Sequence, residues 1–292
     1  MSVFTGAEIF GVDLRRPLAE HAVEAIRAAL LRWKVVFFRD QHLDHAQHVA
    51  FARRLGNPTV GHVLYGHEQG YPEVYSVARK RERHTHMDVE PIRPWTGWHT
   101  DLTTVLNPPA ISILRGVTIP PYGGDTQFTN LAAAYNALSA PMRSFIDGLR
   151  GVHGYGKVTG NALKDTNRKS FSTEHPLVRV HPESQERVLY VSPAFLKSVV
   201  GLTPRESQQL LELLWEHVVR PEWVVRFRWN AGDIAMWDNR ATAHLAPEDI
   251  FETDFDRQLY RVTLVGDVPV GVDGTPSTPL VGGLLGPADA AE

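Results

Sequence analysis

The chain contains no cysteine. That one absence excludes disulfide scaffolds, thiolate zinc sites, Cys-ligated iron–sulfur clusters and cysteine nucleophiles. No run of about 18 apolar residues is present, the length a membrane-crossing helix requires. Neither sign of charge dominates: 30 Lys and Arg against 33 Asp and Glu leave a formal net charge of −3, which gives no general attraction to nucleic acid or acidic membranes. Residues 1–7 have no basic stretch leading into an apolar one, so no secretory signal is expected and the cytoplasm is the expected compartment. The phosphate-cradling Gly-x-x-x-x-Gly-Lys-Ser/Thr loop is missing, as are Gly-x-Gly-x-x-Gly at a helix start, Gly-x-Ser-x-Gly and His-Glu-x-x-His. Phosphate-loop enzymes, Rossmann dehydrogenases, serine hydrolases and zincin proteases thereby lose their usual sequence support.

What is present is ordinary globular material: 43% hydrophobic and 22% charged residues over 292 positions, enough for one large domain with a sizeable core. The 14 histidines are the one compositional hint of metal or acid–base chemistry. Residues 18–32 have apolar positions at helical spacing and run directly into Val35-Val36-Phe37-Phe38, an apolar run of strand length. Asp44 is placed to cap a helix that Gly56 and Pro58 stop, and Thr203-Pro204-Arg205-Glu206 opens another with a capping box and Pro at its first position. Further strands are expected at 73–77, 110–114, 177–180, 188–191, 223–229, 234–237 and 259–265. Loop-sized connections after residue 110 favour a largely antiparallel sandwich or barrel. Residues 78–95 and 154–172 read as long polar loops of the kind that become lids or binding loops. The whole of 1–292 is expected to be one domain, with 267–292 an irregular C-terminal tail rich in Pro, Gly and Ala.

His-x-Asp occurs three times. Asp44 of the His42/Asp44 pair already has a capping role, and His86/Asp88 sits in a charged, solvated stretch. His99/Asp101 lies instead in Trp95-Thr96-Gly97-Trp98-His99-Thr100-Asp101. Spacing of i, i+2 on an extended segment puts both side chains on one face, where two metal ligands can converge. A facial triad needs one more imidazole from far along the chain. His244 is the candidate, delivered by the strand that ends in Met236-Trp237.

Four motifs occur in order: Trp98-His99-Thr100-Asp101; Tyr122-Gly123-Gly124-Asp125-Thr126; Trp237-Asp238-Asn239-Arg240 with His244; and Arg257-x-x-x-Arg261-Val262-Thr263. Together they resemble the taurine dioxygenase/TfdA family of Fe(II)- and 2-oxoglutarate-dependent oxygenases, from about residue 6 to residue 267. The segment Glu174-His175-Pro176-Leu177-Val178-Arg179-Val180-His181-Pro182 is similar to bacterial alkylsulfatases of that family. The resemblance implies an α+β fold with a double-stranded β-helix (jelly-roll) core and flanking helices. It implies Fe(II) on His99, Asp101 and His244, 2-oxoglutarate held by Arg257 and Thr126, and O₂ as oxidant. Two imidazoles and a carboxylate leave three octahedral positions open, which suits a chelating 2-oxo acid plus O₂.

The resemblance also assigns an anionic substrate group to Arg261 and places His62, Tyr65 and Trp95 at substrate-contacting positions. Sulfonate enzymes carry a small amide where this chain has Trp95, so a larger or more hydrophobic substrate body is implied. The expected substrate is a small organic acid, sulfate or sulfonate. A natural-product tailoring oxygenase on the same scaffold is the alternative, and a zinc hydrolase or a non-catalytic binding module is a more distant one. Asp101 argues against halogenation, which needs that carboxylate replaced by a small residue. Family members commonly form dimers or tetramers, and neither nucleic acid nor membrane is an expected partner.

Overall fold

The computed structural model describes residues 1–63, 65–78, 93–155 and 171–290. Most of the two expected polar loops, with His86 and Asp88, lies outside the described residues.

The central element is a six-stranded sheet in the order β1 (Ala7–Glu8), β2 (Val35–Phe38), β12 (Ile234–Asp238), β4 (Ile111–Thr118), β14 (Gln258–Thr263), β3 (Tyr75–Ala78). All of its pairings are antiparallel except β1 with β2. Strict alternation explains how it is covered on both faces. Val36, Phe38, Ile111, Ile113, Ile234, Met236 and Val262 point to one side, where α1 (Glu20–Trp33) and α2 (His45–Arg53) bury Val23, Ile26, Leu30, Val49 and Phe51 against them. The residues in between, Val35, Phe37, Leu114, Ala235, Trp237 and Leu259, form an inner core with Phe128, Val225 and Phe227. Those last three belong to a second sheet, β11 (Val224–Phe227), β5 (Thr126–Asn130), β13 (Thr242–Leu245). Two sheets facing across one core make the jelly-roll sandwich that the resemblance implied. Phe37 sits at its centre, stacked on Phe227 with ring centroids 4.1 Å apart.

A four-stranded sheet, β10 (Leu196–Val199), β6 (Arg150–Gly154), β7 (Ser172–Pro176), β16 (Thr278–Val281), and a three-stranded one, β15 (Val270–Gly271), β8 (Val178–Val180), β9 (Arg187–Leu189), extend the structure. Their apolar faces pack with α3 (Leu131–Ala137), α4 (Ala140–Ile146) and α5 (Pro204–Val218) through Leu131, Ile146, Leu177, Val188, Leu210 and Leu214. Both expected caps form: Asp44 with Gln47, and Thr203 with Glu206. The C-terminal segment is a correction to the sequence reading. Rather than trailing irregularly, 267–292 supplies β15 and β16, which pair with β8 and β7. Strand pairing uses backbone groups only, so Pro and Gly in this stretch did not prevent it.

Candidate active site

Odd-numbered positions on β14 and the segment before it share the inner face, and that phase carries Arg257, Leu259, Arg261 and Thr263. The same alternation splits the Trp237-Asp238-Asn239-Arg240 string. Trp237 and Asn239 turn inward. Asp238 instead receives Arg240 Nε (2.8 Å), Arg240 Nη2 (2.7 Å) and His181 Nε2 (3.0 Å), all buried.

His99 and His244 are joined backbone to backbone, His99 N–H donating to the His244 carbonyl (2.9 Å) and His244 N–H to that of His99 (2.7 Å). This bridge extends the small sheet by one rung and sets the imidazoles side by side, tilted at 51° with centroids 4.2 Å apart. Asp101 follows in a turn rather than a strand, yet converges as expected: ligand atoms of His99, Asp101 and His244 all lie within 4.8 Å of one another. His99 Nδ1 donates to the Gly97 carbonyl (3.0 Å), which leaves Nε2 as a lone pair toward the cluster. His244 Nδ1 is buried without a hydrogen-bond partner. Burial, with His99 alongside, pushes the His244 pKa down to about 3, so its ring is neutral. Burial alone would raise Asp101, but Arg261 and the two histidines hold it well below the usual carboxylate range. Two imidazoles and one fixed carboxylate at this separation suit a divalent transition metal.

Arg261 Nη1 donates to Asp101 Oδ1 (2.5 Å), and its guanidinium lies over the Tyr75 ring at 5.2 Å. Its Nε is buried with no partner. Tyr75 in turn stands 4.9 Å from His62 and 6.4 Å from Tyr65, centroid to centroid, and His62 stands 4.6 Å from Tyr65. The structure thus gathers three sequence-expected residues, Arg261, His62 and Tyr65, around a fourth, Tyr75, that sequence reasoning missed. Trp95 is placed differently: among the described residues its ring contact is Trp215 of α5 at 6.2 Å.

Arg257 is buried, and burial pushes its pKa down to about 10, still cationic at neutral pH. Its Nε donates to the Gly124 carbonyl (2.9 Å), and its terminal nitrogens have no acceptor among the described residues. Gly124 has φ +67°, and a Cβ there would stand 2.8 Å from Arg257 Cδ and Nε, so any larger residue would be strained and would push that guanidinium aside. Two residues on, buried Thr126 Oγ1 accepts from Trp229 Nε1 (3.0 Å), leaving its own proton to donate. A buried guanidinium with its fork free and a hydroxyl with a proton to give are what a carboxylate guest needs.

Sequence reasoning also passed over Ser112, Tyr155 and Phe195, and gave Asn239 no role of its own within its motif. Tyr155 and Phe195 make an edge-to-face pair at 5.4 Å, with Phe195 6.2 Å from His99. Ser112 had a signal: it is the one polar residue in the run Ile111–Leu114.

The family model described as "Taurine catabolism dioxygenase TauD, TfdA family" matches residues 2–263. The chain belongs to the TauD/TfdA dioxygenase family. It is 44% identical to an alpha-ketoglutarate-dependent sulfate ester dioxygenase of Pseudomonas putida, over 92% of this chain and 89% of that one. It is 36% identical to an alkylsulfatase of Acinetobacter baylyi, over 92% of this chain and 84% of that one. Among solved structures, a putative alpha-ketoglutarate-dependent taurine dioxygenase from Burkholderia xenovorans superposes with a TM-score of 0.88 at 61% identity, covering 98% of each chain. As a TauD/TfdA member, this protein is a 2-oxoglutarate-dependent dioxygenase. No described helix is long and apolar enough to cross a membrane.

Proposed function

We propose that this dioxygenase holds Fe(II) on His99, Asp101 and His244 and oxidises a small anionic substrate, a primary alkyl sulfate in the first instance, with Arg261 as the anion's anchor. The observation that carries the reading is the free donor capacity of Arg261 beside the triad: one nitrogen is committed to Asp101, while Nε is buried without a partner. The sulfate-ester activities named for the Pseudomonas and Acinetobacter relatives support the choice of substrate class. When bound, Fe(II) and 2-oxoglutarate supply the activation of O₂ that removes a hydrogen from unactivated carbon, with succinate and CO₂ as co-products.

The chain's own residues do the rest. Arg257 pairs with the distal carboxylate of 2-oxoglutarate and Thr126 adds its hydroxyl proton, so the cosubstrate enters in one orientation. Arg261 takes the sulfate oxygens, and because the same guanidinium touches Asp101, the anion's neighbouring carbon is kept close to the triad. Tyr75 supports the guanidinium from its ring face, and His62 and Tyr65 close that side of the pocket against water. Oxidation at the carbon bearing the ester oxygen yields a product that collapses to an aldehyde and inorganic sulfate. All of these residues serve one site, so residues 1–292 act as one catalytic domain.

The test is an anaerobic titration with Fe(II) and 2-oxoglutarate, read by the weak visible charge-transfer band of a chelated 2-oxo acid. The band is expected in wild type and lost in His99→Ala and Arg257→Ala. Aerobic incubation with alkyl sulfates of increasing chain length then couples sulfate release to succinate. Tight zinc binding with no band would replace the iron reading by a hydrolase. A band accompanied by succinate from lactone acids but not from sulfates or sulfonates would overturn the substrate class.

A further inference from the structure

Three hydrogen bonds close a ring around Asp101. Its own backbone N–H points to Asn239 Oδ1 (3.4 Å), Asn239 Nδ2 donates to Ser112 Oγ (2.8 Å), and Ser112 Oγ donates to Asp101 Oδ2 (2.6 Å). Trp237 Nε1 donates to the same Asn239 Oδ1 (2.9 Å). We infer that Ser112 and Asn239 are positioning residues for the metal: they fix the rotation of the Asp101 carboxylate and set its strength as a ligand. The inference rests on the reading of Asp101 as an iron ligand.

The direction of every bond follows from donor chemistry. An indole nitrogen only donates, so the Asn239 atom facing Trp237 is the oxygen, and its amide nitrogen faces Ser112. That nitrogen fills the acceptor side of the Ser112 hydroxyl. The single hydroxyl proton is therefore left for Asp101, whose carboxylate only accepts. The ring has one polarity, imposed from Trp237.

Its footing is rigid. Ser112 and Trp237 are directly paired across β4 and β12, at the centre of the six-stranded sheet. Ser112, Trp237, Asn239 and Asp101 are at most 3% exposed. Asp101 itself sits in a turn, where the backbone alone would hold its side chain loosely. Bonding its carboxylate to Ser112 of β4 and its amide to Asn239, one residue past the end of β12, ties that turn down. With Arg261 on Oδ1 and Ser112 on Oδ2, both carboxylate oxygens are held, so the group cannot rotate freely about its Cβ–Cγ bond. The presence of a serine in an otherwise apolar strand run then has a functional reason.

The experiment compares wild type, Ser112→Ala and Ser112→Thr, with His99→Ala as the control that tests the metal reading itself. Co(II) and Fe(II) affinities are measured by titration of the full chain, the energy of the Fe(II)–2-oxoglutarate charge-transfer band is recorded, and metal-free melting is followed. The expected result is a loss of about 10–100-fold in metal affinity for Ser112→Ala. Its band should be displaced, and Ser112→Thr should recover both. Trp237→Phe, which frees the Asn239 amide to flip, should move the band in the same sense by less. Should Ser112→Ala bind metal within about twofold of wild type with an unmoved band, while His99→Ala fails to bind, the iron reading stands and the positioning role falls. A lowered metal-free melting temperature with an unmoved band would make Ser112 merely structural and also overturn it. Absence of metal binding in wild type would remove the iron reading, and this inference with it.

Discussion

The contact between Gly124 and Arg257 allows a matched pair of substitutions. Gly123 and Gly124 both have positive φ, +78° and +67°. Alanine at either therefore costs the left-handed backbone penalty of about 1–2 kcal/mol. They differ in what the new methyl meets. At 123 the nearest atoms stand 3.8 Å away, an ordinary contact, whereas at 124 the Arg257 Cδ and Nε stand at 2.8 Å. Restoring a normal carbon contact there requires the guanidinium to retreat by roughly 0.7–1 Å. A charged hydrogen bond contributes about 1.5–3 kcal/mol, so spoiling one arm of a bidentate clamp raises the 2-oxoglutarate Kd by about tenfold or more. The assay is calorimetric titration of the metal-loaded protein with 2-oxoglutarate, alongside urea unfolding of each variant. Both variants should lose about the same stability, and only Gly124→Ala should lose cosubstrate affinity. Equal Kd values for the two, or an unchanged Kd in Gly124→Ala, would refute the assignment of Arg257 as the carboxylate anchor.

Buried His48, His175 and His244 are pushed down to about 3 by burial, and His153 well below its ordinary value for the same reason. The unfolded chain binds protons at these rings from about pH 6.5 downward while the native state does not, so stability rises with pH through that window and levels off above it. Around pH 5 the metal-free protein should take up about four protons on unfolding, a slope of about 5 kcal/mol per pH unit from these groups; a flat stability curve between pH 5 and 6 would contradict their neutral burial. Asp238→Ala removes one of the two carboxylates on buried Arg240, Glu183 being the other, together with the partner of His181, and should cost about 1–3 kcal/mol in urea unfolding. Since Asp238 points away from the triad, metal affinity of the folded variant should stay within about threefold of wild type. Phe37→Ala, emptying the stack on Phe227, should cost about 3–5 kcal/mol, and a loss below 1 kcal/mol would mean that the two sheets do not depend on that contact.

The triad was legible because its chemistry is local in one half: His99 and Asp101 two apart, framed by tryptophans, with His244 trailing a strand end. Arg257 and Arg261 came to notice through the family resemblance, and their spacing on an extended segment added that both share one face. The two caps and the outer helices were legible because an amphipathic helix and its cap occupy consecutive residues. Several strands of the second and four-stranded sheets were not. β5 reads Thr-Gln-Phe-Thr-Asn and β7 reads Ser-Thr-Glu-His-Pro, each with four hydrogen-bonding side chains in five, so neither carries an apolar run. β16 is exposed at every residue and shows no alternation at all. The helices α3 and α4 span 7 residues each, too short for a periodicity to stand out. Tyr75 was invisible as a site residue because its role depends on pairing with Arg261 across β3 and β14, which brings distant residues together.

The rung between His99 and His244 has a consequence for how such an enzyme changes its diet. Two histidines on separate loops would drift apart whenever the chain between them was remodelled. Here their backbones hydrogen-bond to each other, so their spacing is inherited from sheet geometry and is present before any ion arrives. The rim around Tyr155 and Phe195 can be rewritten while the histidine spacing stays put, so long as β4, β5 and β12, which carry Ser112 and Thr126 and lead into Asn239, are kept. A scaffold that locks its ligands at the root and leaves its rim to vary can be refitted from one small anion to another without rebuilding its oxidising centre.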